Sequence, residues 1–141
     1  MEELLNALDN ESNAYLLQLS HDKIKKAKND ILQQIQLRGA PLKLLHEKLE
    51  DYRYITDADS LINGSYIRWI NLKKMGDTIP EKILTNGAII CDWKIYDNGL
   101  YVVCKTNNYR VIQIKFDETL IFQKLSSQEQ VLLSVIDYVS K

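Results

Sequence analysis

The chain has 141 residues, 45% of them hydrophobic and 26% charged, with a formal net charge of −1. That length fits one domain with a modest appendage, and that composition supports a buried core and excludes bulk disorder. The near-neutral balance excludes a wholesale nucleic-acid condenser and leaves only a local basic patch as a polyanion contact.

The N-terminal half carries helical patterning. Residues 2–38 contain neither Pro nor Gly. The segment "EELLNAL" opens with acids, which suit a helix N-terminus, and Ser12 in "LDNESN" can cap a second helix. From Ala14 onward, Leu17, Ile24, Ala27, Ile31 and Ile35 recur at helical spacing. Lys23, Lys25, Lys26 and Lys28 then read as the solvated face of that helix, diluted by Asp22 and Asp30. "LRGAPLKLL" ends the run: Gly39 can take a left-handed position after the helix, and Pro41 suits the first turn of the next. Leu42, Leu45, Leu49 and Tyr52 share one face of this second helix, expected over 41–52. Residues 1–54 therefore predict a helical hairpin arm. Its apolar stripes need a partner surface, either the chain's own barrel or another chain, and association with another copy or another protein is the expectation.

After "DYRYITDADS" the pattern changes to alternation. "YIRWINL" predicts a strand behind a turn at Gly64. "AIICDWKIY" and "LYVVCKT" flank Asn98-Gly99, a strong hairpin signal, because that pair supplies the positive φ angles of a tight turn. "YRVIQIKF" follows a second turn at Asn107-Asn108, and "LIFQKL" follows "DET". Five short strands within 65–125, joined by tight turns, predict a small SH3-like β-barrel; an OB-like arrangement is the alternative. Its expected core is Ile67, Trp69, Ile89, Cys91, Trp93, Val102, Cys104, Ile112, Ile114 and Phe116. A helix over 127–139 closes the 55–141 unit, with Ser126 and Glu129 at capping-box spacing and Leu132, Val135, Ile136 and Val139 as its apolar stripe. The fold class expected is thus α+β.

"LINGSYIRWI" resembles the opening of many small SH3-like barrels, where a Leu-x-x-Gly turn leads into a strand. Taken with "NGAIICDWKI" and "FDETLIFQKL", the sequence over roughly 52–138 is similar to uncharacterised small proteins of giant nucleocytoplasmic DNA viruses of the mimivirus kind. An abundance of Asn, Ile, Lys and Tyr, whose codons are A/T-rich, is compatible with such an origin. The resemblance implies host cytoplasm or a virion and brings no catalytic residues with it.

Chemistry-bearing motifs are absent from the sequence. It contains no GxGxxG, P-loop, HExxH or nucleophile elbow, so no catalytic residue, cofactor site or metal site is assigned. Cys91 and Cys104 form neither a zinc ribbon nor a disulfide framework; His21 and His46 lack a second histidine or cysteine one helical turn away. Two thiols, no signal-peptide pattern and no membrane-length apolar run predict an intracellular protein without a membrane partner. Two binding readings remain. The first is a non-catalytic protein-interaction or assembly module. The second is an RNA- or DNA-binding barrel using Tyr66, Arg68, Lys73, Lys74, Lys94, Tyr101, Tyr109 and Arg110, in which aromatics stack on bases and cations hold phosphates. An interaction module requires an exposed apolar patch, whereas a nucleic-acid reader requires its basic and aromatic groups on one contiguous surface.

Overall fold

The computed structural model describes residues 20–139; the part of the helices expected within 2–38 that precedes residue 20, including Ser12 as the cap of a second helix, lies outside them. Ser20 caps helix α1 (His21–Gln34), its Oγ accepting the Lys23 N–H at 3.2 Å. At the other end Gln36 takes the left-handed position, with φ 69. Its N–H donates to Gln33 O and the Leu37 N–H donates to Leu32 O, the pairing that closes a helix end when the next residue turns left-handed. Gly39, expected in that role, instead sits at φ 66 as the cap of helix α2 (Ala40–Lys48), which has Pro in its first turn.

Helix α2 stops at Lys48, short of the expected 52, and the chain immediately turns into strand β1 (Tyr52–Tyr54). Lys28 fixes this corner. It is only 4% exposed, and its Nζ donates to the carbonyls of Leu49 at 2.7 Å and Glu50 at 3.4 Å. One lysine of the supposed solvated face is therefore a buried cap for the end of α2. Burial holds the Lys28 amine below its ordinary pKa, against the pull of Asp51 and Glu50.

The remaining strands are β2 (Tyr66–Asn71), β3 (Ala88–Tyr96), β4 (Gly99–Lys105), β5 (Val111–Lys115) and β6 (Thr119–Lys124). They form one antiparallel sheet in the order β1-β6-β2-β3-β4-β5. All five expected strands are present, but the sheet has six strands and is open, with edges at β1 and β5, so the expected closed five-stranded barrel is corrected on both points. The sixth strand escaped the pattern because three residues directly behind a helix cannot show an alternation.

Helices and sheet bury two apolar clusters. On one side Leu32, Leu45 and Leu49 pack on Ile70, Leu120 and Phe122, so the described part of the helical arm lies against its own sheet. The second cluster joins Ile67, Trp69, Ala88, Ile90, Val102, Cys104, Ile114 and Ile121 with Ile55 and Leu61. Strand β3 enters this cluster out of phase with expectation. Ala88 and Ile90 point in, while Ile89 is 45% exposed and Cys91 is exposed. Cys91 is the extra residue of a β-bulge, since Ile90 pairs with Cys104 but Asp92 with Val103. Beyond the bulge the phase is inverted, which returns Trp93 to the inner side, packed at the cluster's edge with Ile112 and Phe116.

Helix α3 (Ser127–Val139) follows β6. The capping box forms as expected: Glu129 N donates to Ser126 Oγ at 3.1 Å, and Ser126 N donates to Glu129 Oε1 at 2.9 Å. Its buried face is Glu129, Leu132 and Leu133, whereas Val135 and Val139 are exposed, so the helix is rotated from the expected stripe. The inward face carries the carboxylate: Glu129 Oε2 stands 3.6 Å from Arg53 Nε of β1, with both side chains buried. Arg53 Nη2 also donates to Ser60 O at 3.0 Å. At the far end of α3, Asp137 meets His21 of α1. None of the described helices is long and apolar enough to cross a membrane.

Candidate functional site

The eight residues nominated from sequence fall into three places. Lys73 and Lys74 lie in a short 3-10 segment after β2 (Leu72–Asp77). Lys73 Nζ is 2.8 Å from Glu118 Oε1; that contact raises the lysine's pKa and lowers the carboxylate's. The same Glu118 oxygen is 3.5 Å from Lys115 Nζ, so one carboxylate serves two lysines. Lys94 and Tyr101 face each other across β3 and β4, on the side away from the second cluster, and Tyr101 in turn pairs with Lys115. The Tyr101 ring meets Tyr96 edge-on, with centroids 5.2 Å apart, and its hydroxyl accepts from Asn98 Nδ2 at 2.9 Å.

The other four nominated residues converge. After β2, the chain returns beside it as residues 84–87. Leu84 bridges Ile70, Thr85 N donates to Trp69 O, and Trp69 N donates to Thr85 Oγ1. Arg68 Nε donates to Thr85 O at 2.8 Å, and Tyr66 Oη donates to Asn86 O. Arg68 and Tyr66 are thus tied to the back of this segment and set its position rather than projecting into solvent. Gly87, at φ 102, completes it: a Cβ there would lie 2.5 Å from Ile67 O, so a side chain does not fit.

Opposite this segment stands the β4–β5 turn, residues 106–110. Thr106 N donates to Arg110 O, Tyr109 N to Thr106 O, and Arg110 N to Thr106 Oγ1. Tyr109 adopts φ 61 and is 80% exposed, with Lys105 Nζ 5.1 Å from its ring centroid. Between the two segments is a cleft of about 400 Å³. Trp69, Thr85, Asn86 and Gly87 form one wall; Thr106, Asn107, Asn108, Arg110 and Ile112 form the other. Arg110 carries the single charge among these residues.

A second cleft, about 420 Å³, lies between the Ala58–Ser60 3-10 turn and the β3–β4 hairpin. It is lined by Ala58, Leu61, Trp93, Ile95 and Leu100, with Asp59 the single charged residue. Ile95 is 84% exposed. It also borders a neighbouring hollow with Tyr96, Asp97, Asn98, Tyr101 and Gln113. Sequence reasoning missed this cleft. The signal available was Trp93 and Ile95 alternating up to the turn and Leu100 just past it, too far along the hairpin to be covered by neighbouring strands.

The two cysteines sit in different surroundings. Burial pushes the Cys104 thiol up to about 12, and Cys91 stands exposed on the bulge with no histidine among its contacts. His46 Nε2 is 3.0 Å from Asn29 Oδ1, a contact between helices, and His21 is engaged by Asp137. Comparison with protein-family models, with curated proteins and with solved structures finds nothing that matches this chain.

Proposed function

We propose that this protein is a non-catalytic protein-interaction module, and that the apolar cleft under Ile95 is where its partner docks. The observation that carries this reading is a large aliphatic side chain, 84% exposed, standing over a recess formed by Trp93, Leu100, Leu61 and Ala58. Scattered exposed hydrophobics are ordinary, but apolar side chains gathered around a concavity are the usual mark of a docking surface. The helical arm was the surface expected from sequence to recruit a partner. Its described part already has Leu32, Leu45 and Leu49 against the sheet, which moves the docking role to the hairpin. The ladder β6-β2-β3-β4-β5, with a three-residue 3-10 turn (Phe116–Glu118) returning β5 to β6, supports reading this framework as an SH3-like barrel left open between β5 and β1.

The test is a pull-down from the native source after nuclease treatment, with wild type and Ile95→Lys as baits. Ile95 is surface-exposed, so its replacement should change stability by no more than about 0.5 kcal/mol. Nuclease-resistant partners held by wild type and lost from Ile95→Lys are the expected result. Identical captures by both baits, or loss of every partner on nuclease treatment, would reject the reading.

A further inference from the structure

We propose that the polar cleft between residues 85–87 and the β4–β5 turn binds single-stranded nucleic acid, taking one nucleotide into the recess. The lining chemistry points there first. Asn86, Asn107 and Asn108 contribute amides, and Thr85 and Thr106 hydroxyls, groups that both donate and accept and so match the mixed edges of an unpaired base. The charge points the same way. Arg110 is the one charged lining residue and is in no ion pair among the described residues, and Lys105 stands beside the same turn. A chain of net charge −1 thus presents a local positive end suited to a phosphate.

Tyr109 adds a separate observation. It holds φ 61, a conformation that costs a tyrosine more than an asparagine or glycine, yet its ring is 80% exposed and buries little in return. Tyr109 stands between the lining residues Asn108 and Arg110, with the Lys105 ammonium 5.1 Å from its ring centroid, and the exposed ring offers area for a base to stack. The cleft's volume, about 400 Å³, lies within the range of small-ligand sites, about 300–1,000 Å³. It opens between two backbone segments, and an unpaired base is the part of a strand that can enter such a recess. Its wall is held in advance by Arg68, Tyr66 and the Trp69–Thr85 bonds, so binding has little ordering to do there. This site shares no lining residue with the cleft under Ile95, so the two proposals stand or fall separately.

The experiment is fluorescence polarisation of the full chain with a short fluorescein-labelled oligonucleotide of mixed sequence at low salt. The probe is offered as single-stranded RNA, single-stranded DNA and DNA duplex. One or both single strands should bind, and the duplex about tenfold or more weakly. Arg110→Ala should weaken binding about tenfold and flatten its salt dependence, because one phosphate contact is lost. Tyr109→Asn should keep or raise the urea midpoint, since asparagine tolerates positive φ, while weakening binding about tenfold through lost stacking. Ile95→Lys should bind as wild type. No single-strand binding at low salt, duplex bound as well as single strand, or either Arg110→Ala or Tyr109→Asn binding as wild type would overturn the proposal. So would binding of adenosine monophosphate that no strand can displace.

Discussion

Replacing Glu129 tests how the C-terminal helix is fastened. One carboxylate accepts the Ser126 N–H at 2.9 Å and stands 3.6 Å from Arg53 Nε, with its side chain 1% exposed and that of Arg53 7% exposed. Glu129→Ala removes one half of the capping box, a loss of about 1 kcal/mol, and breaks a buried ion pair, about 3–5 kcal/mol. The two overlap, so the expected loss is about 4 kcal/mol, a large share of the 5–15 kcal/mol that holds a typical domain together. With an m value of about 2 kcal/mol/M, the urea midpoint followed by circular dichroism should fall by about 2 M. Glu129→Gln keeps the shape and the acceptor for Ser126 but not the charge, and isolates the ion pair. Combined with Arg53→Met it should lose less than the sum of the two single changes, because neither charge is left alone. Ser60 O survives Arg53→Met with a donor, since Gln123 Nε2 also reaches it at 3.3 Å. A loss below about 1 kcal/mol for Glu129→Ala, or a double variant additive within about 0.5 kcal/mol, would refute a coupled buried pair.

Thiol chemistry should separate the two cysteines: in the folded protein Cys91 reacts with a disulfide reagent, whereas Cys104, fully buried with its pKa pushed up to about 12, reacts only on unfolding. Two equally fast thiols in native buffer would place Cys104 at the surface. For His46, burial first and then Lys28 and Lys25 hold the imidazole below its ordinary 6.5. Between that lowered pKa and 6.5 the unfolded chain binds more protons than the fold, so this group makes stability fall as pH drops below 6.5. His46→Gln, which can keep the bond to Asn29, should lose less of its urea midpoint than wild type on acidification; an equal or greater loss would contradict this sign.

The strands were readable wherever a turn and an alternation agreed. The expected β3–β4 hairpin forms, though it turns at Asp97-Asn98 with only Gly99 at positive φ, 136, and Ile67, Trp69, Val102, Cys104 and Ile114 are buried as their alternation implies. What escaped has local causes. A bulge leaves no mark on composition, so Ile89 and Cys91 were placed inside when Ala88 and Ile90 hold those positions. Lys28 looked like its neighbours because a lysine's stem and amine can be buried separately from any sequence signal, once two carbonyls are waiting at the end of α2. Around the polar cleft, Tyr109 and Arg110 were visible as a basic and aromatic pair, but the wall at 85–87 was not. Its position comes from bonds to β2 reached from far along the chain, and Tyr66 and Arg68 turn out to hold that wall.

The place of β6 governs the order in which this chain can complete itself. It is the last strand in sequence yet lies inside the sheet, pairing Tyr52 with Lys124 on one side and Ile67 with Gln123 on the other. On a ribosome, the β3-β4-β5 meander can zip as soon as its tight turns emerge, since those pairings are local. The helices cannot settle, because Leu120 and Phe122 belong to the floor beneath Leu32, Leu45 and Leu49. Synthesis halted just after Phe116 would leave β1 and β2 with no strand between them and a leucine-lined helical surface open to chaperones. Only the final strand converts a finished meander and a waiting helical pair into one body.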